Sequence, residues 1–219
     1  EKEILAKYGS PTPEELVESA LGHVKILNEC DFDDIVISIK SSDVNNVISA
    51  YRLLSQKCNY PLHLGVTEAG TERMGIIKSA IGIGSLLCDG IGETIRVSLT
   101  DEPIKEIYAA KDILKSIGKF GGVKIVSCPT CGRTRINLIK LASDVENAVK
   151  DIDKDITVAV MGCVVNGPGE AREADIGIAG GDGKCVIFKK GEVYKTLAFG
   201  EHKQEFLSEI EKLYNEKHN

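Results

Sequence analysis

Three cysteines lie in two short, glycine-bearing motifs in the second half of the chain. Cys128 and Cys131 are spaced as C-x-x-C in SCPTCGRT at 127–134, and Cys163 lies in MGCVVNGPGEA at 161–171. Both motifs follow apolar runs that predict β-strands, so neighbouring strands would bring the three thiols to one edge of a sheet. Turns at Gly132 and Gly167 would let backbone N–H groups approach the sulfur atoms. The pattern therefore predicts a site with three sulfur ligands.

Four interpretations of these thiols remain open from the residues alone. Structural zinc takes a fourth Cys or His, a redox dithiol needs only two cysteines, and three neighbouring thiols can also be incidental. The pattern favours a cubane iron–sulfur cluster whose fourth iron takes an oxygen ligand from Glu170. Such an iron is readily vacated for a substrate oxygen, which indicates catalysis at the cluster. The histidines all lie outside the two motifs: His23, His63, His202 and His218.

The composition is that of a globular protein. Of the 219 residues 42% are hydrophobic and 27% charged, and the net charge of −6 with scattered basic residues argues against a nucleic-acid or acidic-membrane surface. No apolar run is long enough to cross a bilayer, so we expect a cytoplasmic protein. Seven cysteines without a secretory signal favour reduced thiols. The remaining four are expected to be buried as small hydrophobic residues: Cys30, Cys58, Cys88 and Cys185.

Residues 1–119 are predicted to form repeated βα units. Thr12-Pro13-Glu14-Glu15 supplies an N-cap, a proline at the first helical position and a capping-box glutamate, for a helix ending near Glu29. Strands start near 35, 62 and 94, and the spacing of about thirty residues is that of a βα unit around a parallel sheet. Gly82 and Gly84, within the third helical pattern, favour close helix packing over a phosphate-binding loop.

Polar residues collect where these strands end. Lys40 follows the first strand, Thr67 and Glu68 follow the second, and Arg96 and Ser98 share one face of the third. In α/β folds this edge of the sheet carries the chemistry. Arg96 interrupts an apolar strand and must be paired or face a cavity, whereas Lys40 and Glu68 alone are compatible with solvated loop charges.

The two halves of the chain differ in pattern. Three strands cannot close a barrel of eight βα units and about 250 residues, so we expect residues 1–119 to be a fragment whose N-terminal units are missing. After a glycine break at 118–122 come short strands near 123–127, 157–161, 175–179 and 184–189, with helices near 136–150 and 202–216. This second pattern predicts a small α+β domain over residues 120–219.

Five motifs in sequence order carry a resemblance to a known family. They are I-S-I-K-S-S-D at 37–43, H-L-G-V-T-E-A-G at 63–70, G-I-G-E-T-I-R-V-S-L-T at 90–100, C-P-T-C-G-R-T at 128–134 and M-G-C-V-V-N-G-P-G-E-A at 161–171. Together they resemble the 4-hydroxy-3-methylbut-2-enyl diphosphate synthases over nearly the whole chain. The resemblance implies the C-terminal part of a (β/α)₈ TIM-type barrel over 1–119, followed by an α+β domain for a [4Fe-4S] cluster over 120–219.

The resemblance also implies a reaction and the residues that carry it. The reaction is the reductive opening of 2-C-methyl-D-erythritol 2,4-cyclodiphosphate to 4-hydroxy-3-methylbut-2-enyl diphosphate, with loss of water, on the methylerythritol phosphate route to isoprenoids. The implied cluster ligands are Cys128, Cys131, Cys163 and Glu170. The implied substrate-binding residues are Lys40, Thr67, Ser98 and Asn166. The implied catalytic residues are Arg96, Glu170 and Glu68, the last as proton donor or hydrogen-bond partner to the departing hydroxyl.

Partners follow from the same resemblance. Ferredoxin or flavodoxin would supply two electrons, and a homodimer would close the cluster domain of one chain over the barrel of the other. Without the rest of the barrel we expect no turnover, and an exposed sheet edge is expected to favour self-association. The alternative function is that of a metal-stabilised electron-carrier or interaction domain with no substrate of its own.

Overall fold

The chain divides at Phe120 into two units, Glu1–Phe120 and Gly121–Asn219, each built around its own hydrophobic core. The computed structural model describes residues 2–165 and 171–216. In the described part of the first unit the helices are α1 (Lys2–Tyr8), α2 (Pro13–Glu29), α3 (Val44–Ser55), α4 (Glu72–Cys88) and α5 (Pro103–Ser116).

Helices α2 and α3 begin at side-chain caps. Thr12 Oγ1 accepts a hydrogen bond from the Glu15 N–H at 3.2 Å, and Asp43 Oδ1 accepts one from the Asn46 N–H at 2.9 Å. These bonds satisfy N–H groups that the first helical turn leaves without partners. The predicted start of α2 at the Thr12 cap is confirmed, and so is its end at Glu29. The sequence analysis did not anticipate α1.

Three extended segments form the parallel part of the first unit. Strand β1 (His63–Leu64) pairs in parallel with β2 (Thr94–Ile95), and an isolated parallel bridge joins Ile37 to Leu62 on the other side. The Arg96 N–H donates to the Leu64 carbonyl at 2.9 Å, which carries the pairing beyond β2. The predicted βα order is therefore confirmed, although the regular ladders are shorter than the predicted strands.

Side chains along the first extended segment alternate between the core and the opposite face. Ile35, Ile37 and Ile39 are buried against the helices, while Val36 and Ser38 are exposed. This alternation is the period of an extended backbone. Tyr51, fully buried on α3, accepts the Ile39 N–H at 3.0 Å and donates to the His63 carbonyl, so it fastens this segment to β1.

Helix α4 lies close to the sheet at one of its two predicted packing glycines. A Cβ on Gly82 would lie 2.7 Å from Val66 Cγ2, whereas a Cβ on Gly84 would meet no atom within 4 Å. The prediction of close helix packing is thus confirmed at Gly82 and is wrong for Gly84. Val66 precedes Thr67, so this contact supports the loop that holds two candidate site residues.

The second unit is built on a five-stranded mixed sheet. Its strands are β3 (Val123–Ser127), β4 (Ile156–Met161), β5 (Ile176–Gly180), β6 (Lys184–Lys189) and β7 (Glu192–Ala198), in that spatial order. The pairs β3/β4 and β4/β5 are parallel, while β5/β6 and β6/β7 are antiparallel. Four strands match the sequence prediction, which did not include β7.

One face of this sheet packs against two helices, α6 (Leu138–Val149) and α7 (His202–Glu216). Their contribution to the core includes Leu141, Val145 and Phe206, and all three are buried. Both helices are close to the predicted bounds. The turn before β7 is formed by Lys190 and Gly191, both with positive φ, which is the geometry of a two-residue hairpin.

The expectation for the four cysteines outside the motifs is only partly correct. Cys185 is buried, and Cys58 is half-buried. Cys30 and Cys88 are exposed, so the prediction was wrong for these two. Cys30 is the C-cap of α2 and Cys88 is the last residue of α4, and helix ends face solvent even when the sequence before them is apolar.

Candidate functional site

The three motif cysteines line a single cavity in the second unit. Cys128 directly follows β3, and Cys163 lies two residues after β4. The two strands are parallel neighbours with Ser127 opposite Val160, so their carboxyl ends meet at the same edge. The cavity has a volume of about 250 Å³ and is lined by Cys128, Pro129, Cys131, Arg133, Thr134, Gly162 and Cys163. The predicted convergence of the thiols is confirmed.

Backbone hydrogen bonds fix the loop that bears Cys131. The Cys131 N–H donates to Thr134 Oγ1 at 3.1 Å, and the Thr134 N–H donates back to the Cys131 carbonyl at 3.0 Å. The next residue, Arg135, donates its N–H to the Gly162 carbonyl at 2.9 Å. The two cysteine loops are therefore held against each other by main-chain contacts.

Gly162 brings the second cysteine loop close to the first. A Cβ at this position would lie 3.0 Å from Thr134 Oγ1, which is tighter than an ordinary contact. Without that Cβ, the Gly162 N–H reaches Cys128 Sγ and donates to it at 3.2 Å. An N–H group aimed at a cysteine sulfur stabilises negative charge on it.

The electrostatics of the cavity favour thiolate at Cys131. Hydrogen bonds from the Arg133 backbone N–H and from its guanidinium lower the pKa of this exposed thiol, and Thr134 adds to the effect. Cys163, in contrast, is only 6% exposed. The cavity thus combines an accessible thiol of lowered pKa with an enclosed sulfur, and sulfur ligands bind metals as thiolates.

This arrangement fits a polynuclear iron–sulfur group. In the described ranges no three His, Cys, Asp or Glu side chains group as ligands of a single metal ion. The three thiols line one cavity, and iron–sulfur clusters are held by cysteine thiolates. Asn166 and Glu170, which the sequence analysis also singled out, lie outside the described residues.

A second set of polar residues lies on one face of the parallel segments in the first unit. Lys40, Thr67, Arg96 and Ser98 alternate with buried residues along their segments, which places them on the face opposite the helices. Gly65 lies between two of them, since a Cβ there would come 3.3 Å from Lys40 Nζ and 2.9 Å from the Arg96 carbonyl. The missing side chain makes room for the lysine to cross the face.

The charge on this face is positive. Burial, and then the positive charge of Arg96, lowers the pKa of the half-buried Lys40. Among residues 2–165 and 171–216, no carboxylate lies within ion-pairing distance of either cation. Arg96 is exposed on the face. Two cations sharing a face in this way are suited to an anion such as a diphosphate.

Glu68 occupies a strained position beside this face. Its φ of 51° is in the left-handed region, which costs a residue other than glycine of order 1–3 kcal/mol. The preceding residue, Thr67, is tied down by its N–H, which donates to the Ser41 carbonyl at 3.2 Å. Glu68 itself is exposed, so its carboxylate is accessible to a ligand.

His63 is a residue of this face that the sequence analysis missed. Its ring Nδ1 lies 2.8 Å from Thr94 Oγ1, and burial together with the charges of Lys40 and Arg96 lowers its pKa. The histidines entered the sequence predictions only as zinc ligands. The available signal was spacing, because His63, Gly65 and Thr67 follow one another at intervals of two along one segment.

Comparison with known proteins matches both units. Residues 1–111 match the family model described as the GcpE TIM-barrel domain, and residues 124–212 match that of the GcpE protein C-terminal domain. In the described residues, no helix has the length and apolar character needed to cross a membrane.

Several curated relatives share the name 4-hydroxy-3-methylbut-2-en-1-yl diphosphate synthase (flavodoxin). The protein of Clostridium perfringens is 62% identical over 96% of this chain and 60% of its own length. Those of Clostridium tetani and Geobacter sulfurreducens are 65% and 55% identical over 90% and 100% of this chain, and over 57% and 62% of their own lengths. The chain thus spans about three fifths of the relatives it matches.

Proposed function

Because this chain belongs to the GcpE family, we propose that it takes part in the reductive opening of 2-C-methyl-D-erythritol 2,4-cyclodiphosphate to 4-hydroxy-3-methylbut-2-enyl diphosphate. In this proposal residues 1–119 are part of a TIM-type barrel that binds the diphosphate, and residues 120–219 hold a [4Fe-4S] cluster. The observation that carries it is the convergence of three thiols on one cavity.

Cys128, Cys131 and Cys163 are the proposed thiolate ligands, and Glu170 is the proposed fourth ligand. The lowered pKa of Cys131 and the Gly162 N–H on Cys128 Sγ both favour the charged form that binds iron. When bound, the cluster would pass on, one at a time, the two electrons that the proposed flavodoxin or ferredoxin donates. The carboxylate of Glu170 would hold the fourth iron as a harder ligand than thiolate.

The positive face of the first unit is the proposed diphosphate site. Lys40 and Arg96 would neutralise the phosphate charges, and the hydroxyls of Thr67 and Ser98 would hydrogen-bond the phosphate oxygens. Asn166 is the further proposed contact with the substrate. These residues would bind and orient the cyclic diphosphate. Its ring opens when the bond between a carbon atom and a phosphate oxygen breaks.

Glu68 is the proposed proton donor. Ring opening consumes two electrons and releases the hydroxyl of a neighbouring carbon, which leaves as water once it has gained a proton. The exposure of this carboxyl and its strained φ of 51° support that role. Arg96, on the same face, would also stabilise the negative charge that develops as the bond to phosphate breaks.

The proposed reaction needs an electron donor. The relatives' printed name specifies flavodoxin, and we propose flavodoxin or ferredoxin as electron donor to this protein. We further propose a homodimer working in the cytoplasm, where thiols stay reduced. The 219 residues alone are not expected to turn over the substrate.

Replacement of Glu68 tests the enzyme against an electron carrier with no substrate. In a full-length relative, Glu68→Gln at the matching position is expected to lower kcat by about 10²- to 10⁴-fold, the range for loss of a general acid, with unchanged iron content. The control is Glu72→Gln, an exposed glutamate four residues further on. An electron carrier without a substrate would be unaffected by either substitution. A Glu68→Gln variant with undiminished kcat would therefore contradict the proposal.

A further inference from the structure

His63 lies on the middle one of the three parallel segments, between the two cations of the face. The segment that ends at Lys40 is joined to it through the Ile37–Leu62 bridge, and Arg96 follows β2 on its other side. Lys40 and Arg96 are the charged groups that act on the imidazole, and both are positive. The carboxylate of Glu93, next to the ring's partner Thr94, is held by the Leu62 N–H.

This setting keeps the imidazole neutral in the absence of an anion. Burial is the largest cause, and the charges of Lys40 and Arg96 add to it, so the pKa of His63 lies below its ordinary value of 6.5. An anion bound by the two cations reverses the local potential. A negative charge within a few ångströms of a histidine favours the protonated ring.

We infer that His63 is a positioning residue of this anion site and that its ring takes up a proton when a diphosphate binds. The inference rests on the proposed function for the identity of the anion, and on the Lys40–His63–Arg96 arrangement for its mechanism. Protonation turns the ring into a third cation on the face, and its N–H then orients the phosphate.

Thr94 allows the ring to change charge without moving. A threonine hydroxyl both donates and accepts hydrogen bonds. In the Nε2–H tautomer of the neutral ring, Thr94 Oγ1 would donate to Nδ1; in the protonated ring, Nδ1 would donate to Thr94 Oγ1 across the same 2.8 Å contact. In both states Nε2 carries a hydrogen available to the ligand, so the hydrogen bond to Thr94 fixes the direction of that donor.

The coupling has a definite sign. Between the low pKa of the free protein and the higher pKa of the complex, binding takes up a proton at His63. Affinity for the anion therefore rises as pH falls through that window, by more in the wild type than in His63→Gln. The comparison with the variant removes the contribution of the anion's own titration.

The test uses inorganic pyrophosphate and the 219-residue chain, followed by NMR of the histidine rings as pH is varied. The His63 resonance is assigned by its loss in His63→Gln. Its pKa is expected to start below the ordinary value and to rise by about one unit or more with saturating pyrophosphate. In Lys40→Gln, the pKa without pyrophosphate is expected to be higher, because one of the two cations is gone.

His23, on α2, supplies a reference resonance away from this face, since its ring Nδ1 is hydrogen-bonded to the Ser19 carbonyl on the same helix. Saturable binding with an unchanged His63 pKa would overturn this inference alone. Absence of saturable binding would overturn it together with the proposed diphosphate site. The pKa itself is measured on the wild type, and His63→Gln serves only to assign the resonance.

Discussion

At the scale of single residues, two cysteines of the second unit show how the environment decides what a thiol does. Cys163 lines the cavity shared with the two other motif cysteines. Cys185 is fully buried between the sheet and its helices, and burial raises the pKa of this thiol to about 11. A thiol with so high a pKa stays protonated and packs as a small apolar group.

Serine substitution separates these two roles. Cys163→Ser is expected to lose most of the iron after reconstitution with iron and sulfide, because a hydroxyl is a poorer ligand for iron than a thiolate. Cys185→Ser is expected to keep its iron and to lose about 1–3 kcal/mol of stability, since it buries a hydroxyl in an apolar core. The measurements are iron content and chemical unfolding, and equal iron loss in both variants would contradict the assignment.

At the scale of elements, α4 offers a matched pair of glycines. Gly82→Ala is expected to lower the free energy of unfolding by about 1–3 kcal/mol, because the new methyl group would overlap Val66 Cγ2, 2.7 Å away. Gly84→Ala has open space and is expected to raise it by up to about 1 kcal/mol through better helix propensity. Thermal and denaturant unfolding measure both, and equal effects would rule out the close contact.

Helix α7 is joined to β6 through a buried carboxylate. The side chain of Glu209 is 3% exposed and accepts hydrogen bonds from Lys189 at 3.1 Å and Lys212 at 2.8 Å. Burial raises the pKa of this carboxyl, but the bonds from Lys212 and Lys189 outweigh burial, and the net change is downward. The carboxylate thus stabilises the fold above its ordinary pKa of 4.5.

Removing this charge has a predicted pH dependence. Glu209→Gln is expected to lose about 1–3 kcal/mol of stability at neutral pH, and its difference from the wild type should shrink as pH falls below 4.5. Glu205→Gln, which breaks the more exposed pair with Lys195, is expected to cost less. Unfolding curves at several pH values would contradict the prediction if the Glu209 difference grew in acid.

An element could be predicted from the sequence where the residues that cause it to form lie within its own stretch of chain. The Thr12 cap and the hydrophobic period of α2 lie within one stretch of chain, and the helix has the predicted bounds. Strand β7 was missed because it lies at the sheet edge with its side chains largely exposed, so its apolar pattern is weak. Its local signal was the Lys190-Gly191 turn.

In the candidate site, too, features set by the order of the strands could be predicted, and features set by tertiary contacts could not. The convergence of Cys128 and Cys163 could be predicted, since both follow strands and neighbouring parallel strands end at one edge. The spacing of His63 from Thr67 indicated the face on which it lies. Its proximity to Lys40 and Arg96 could not be predicted, because they lie on other segments and the register between segments is a tertiary property. The Gly162 N–H on Cys128 Sγ likewise depends on a contact between two loops.

At the scale of the whole molecule, two chemically different sites lie in two units, and the proposed reaction uses both. The first unit offers positive charge for a diphosphate and an accessible carboxyl, and the second offers three thiols around a cavity. Each unit has its own core, so a change on the positive face is expected to leave the thiol cavity intact.

Iron and acid-labile sulfide per chain, measured with zinc after anaerobic purification and reconstitution, decide whether the thiol cavity holds a cluster. A [4Fe-4S] cluster held by Cys128, Cys131 and Cys163 predicts about four iron and four sulfide per chain. One zinc without sulfide, in a protein that takes up no iron and sulfide on reconstitution, would contradict it.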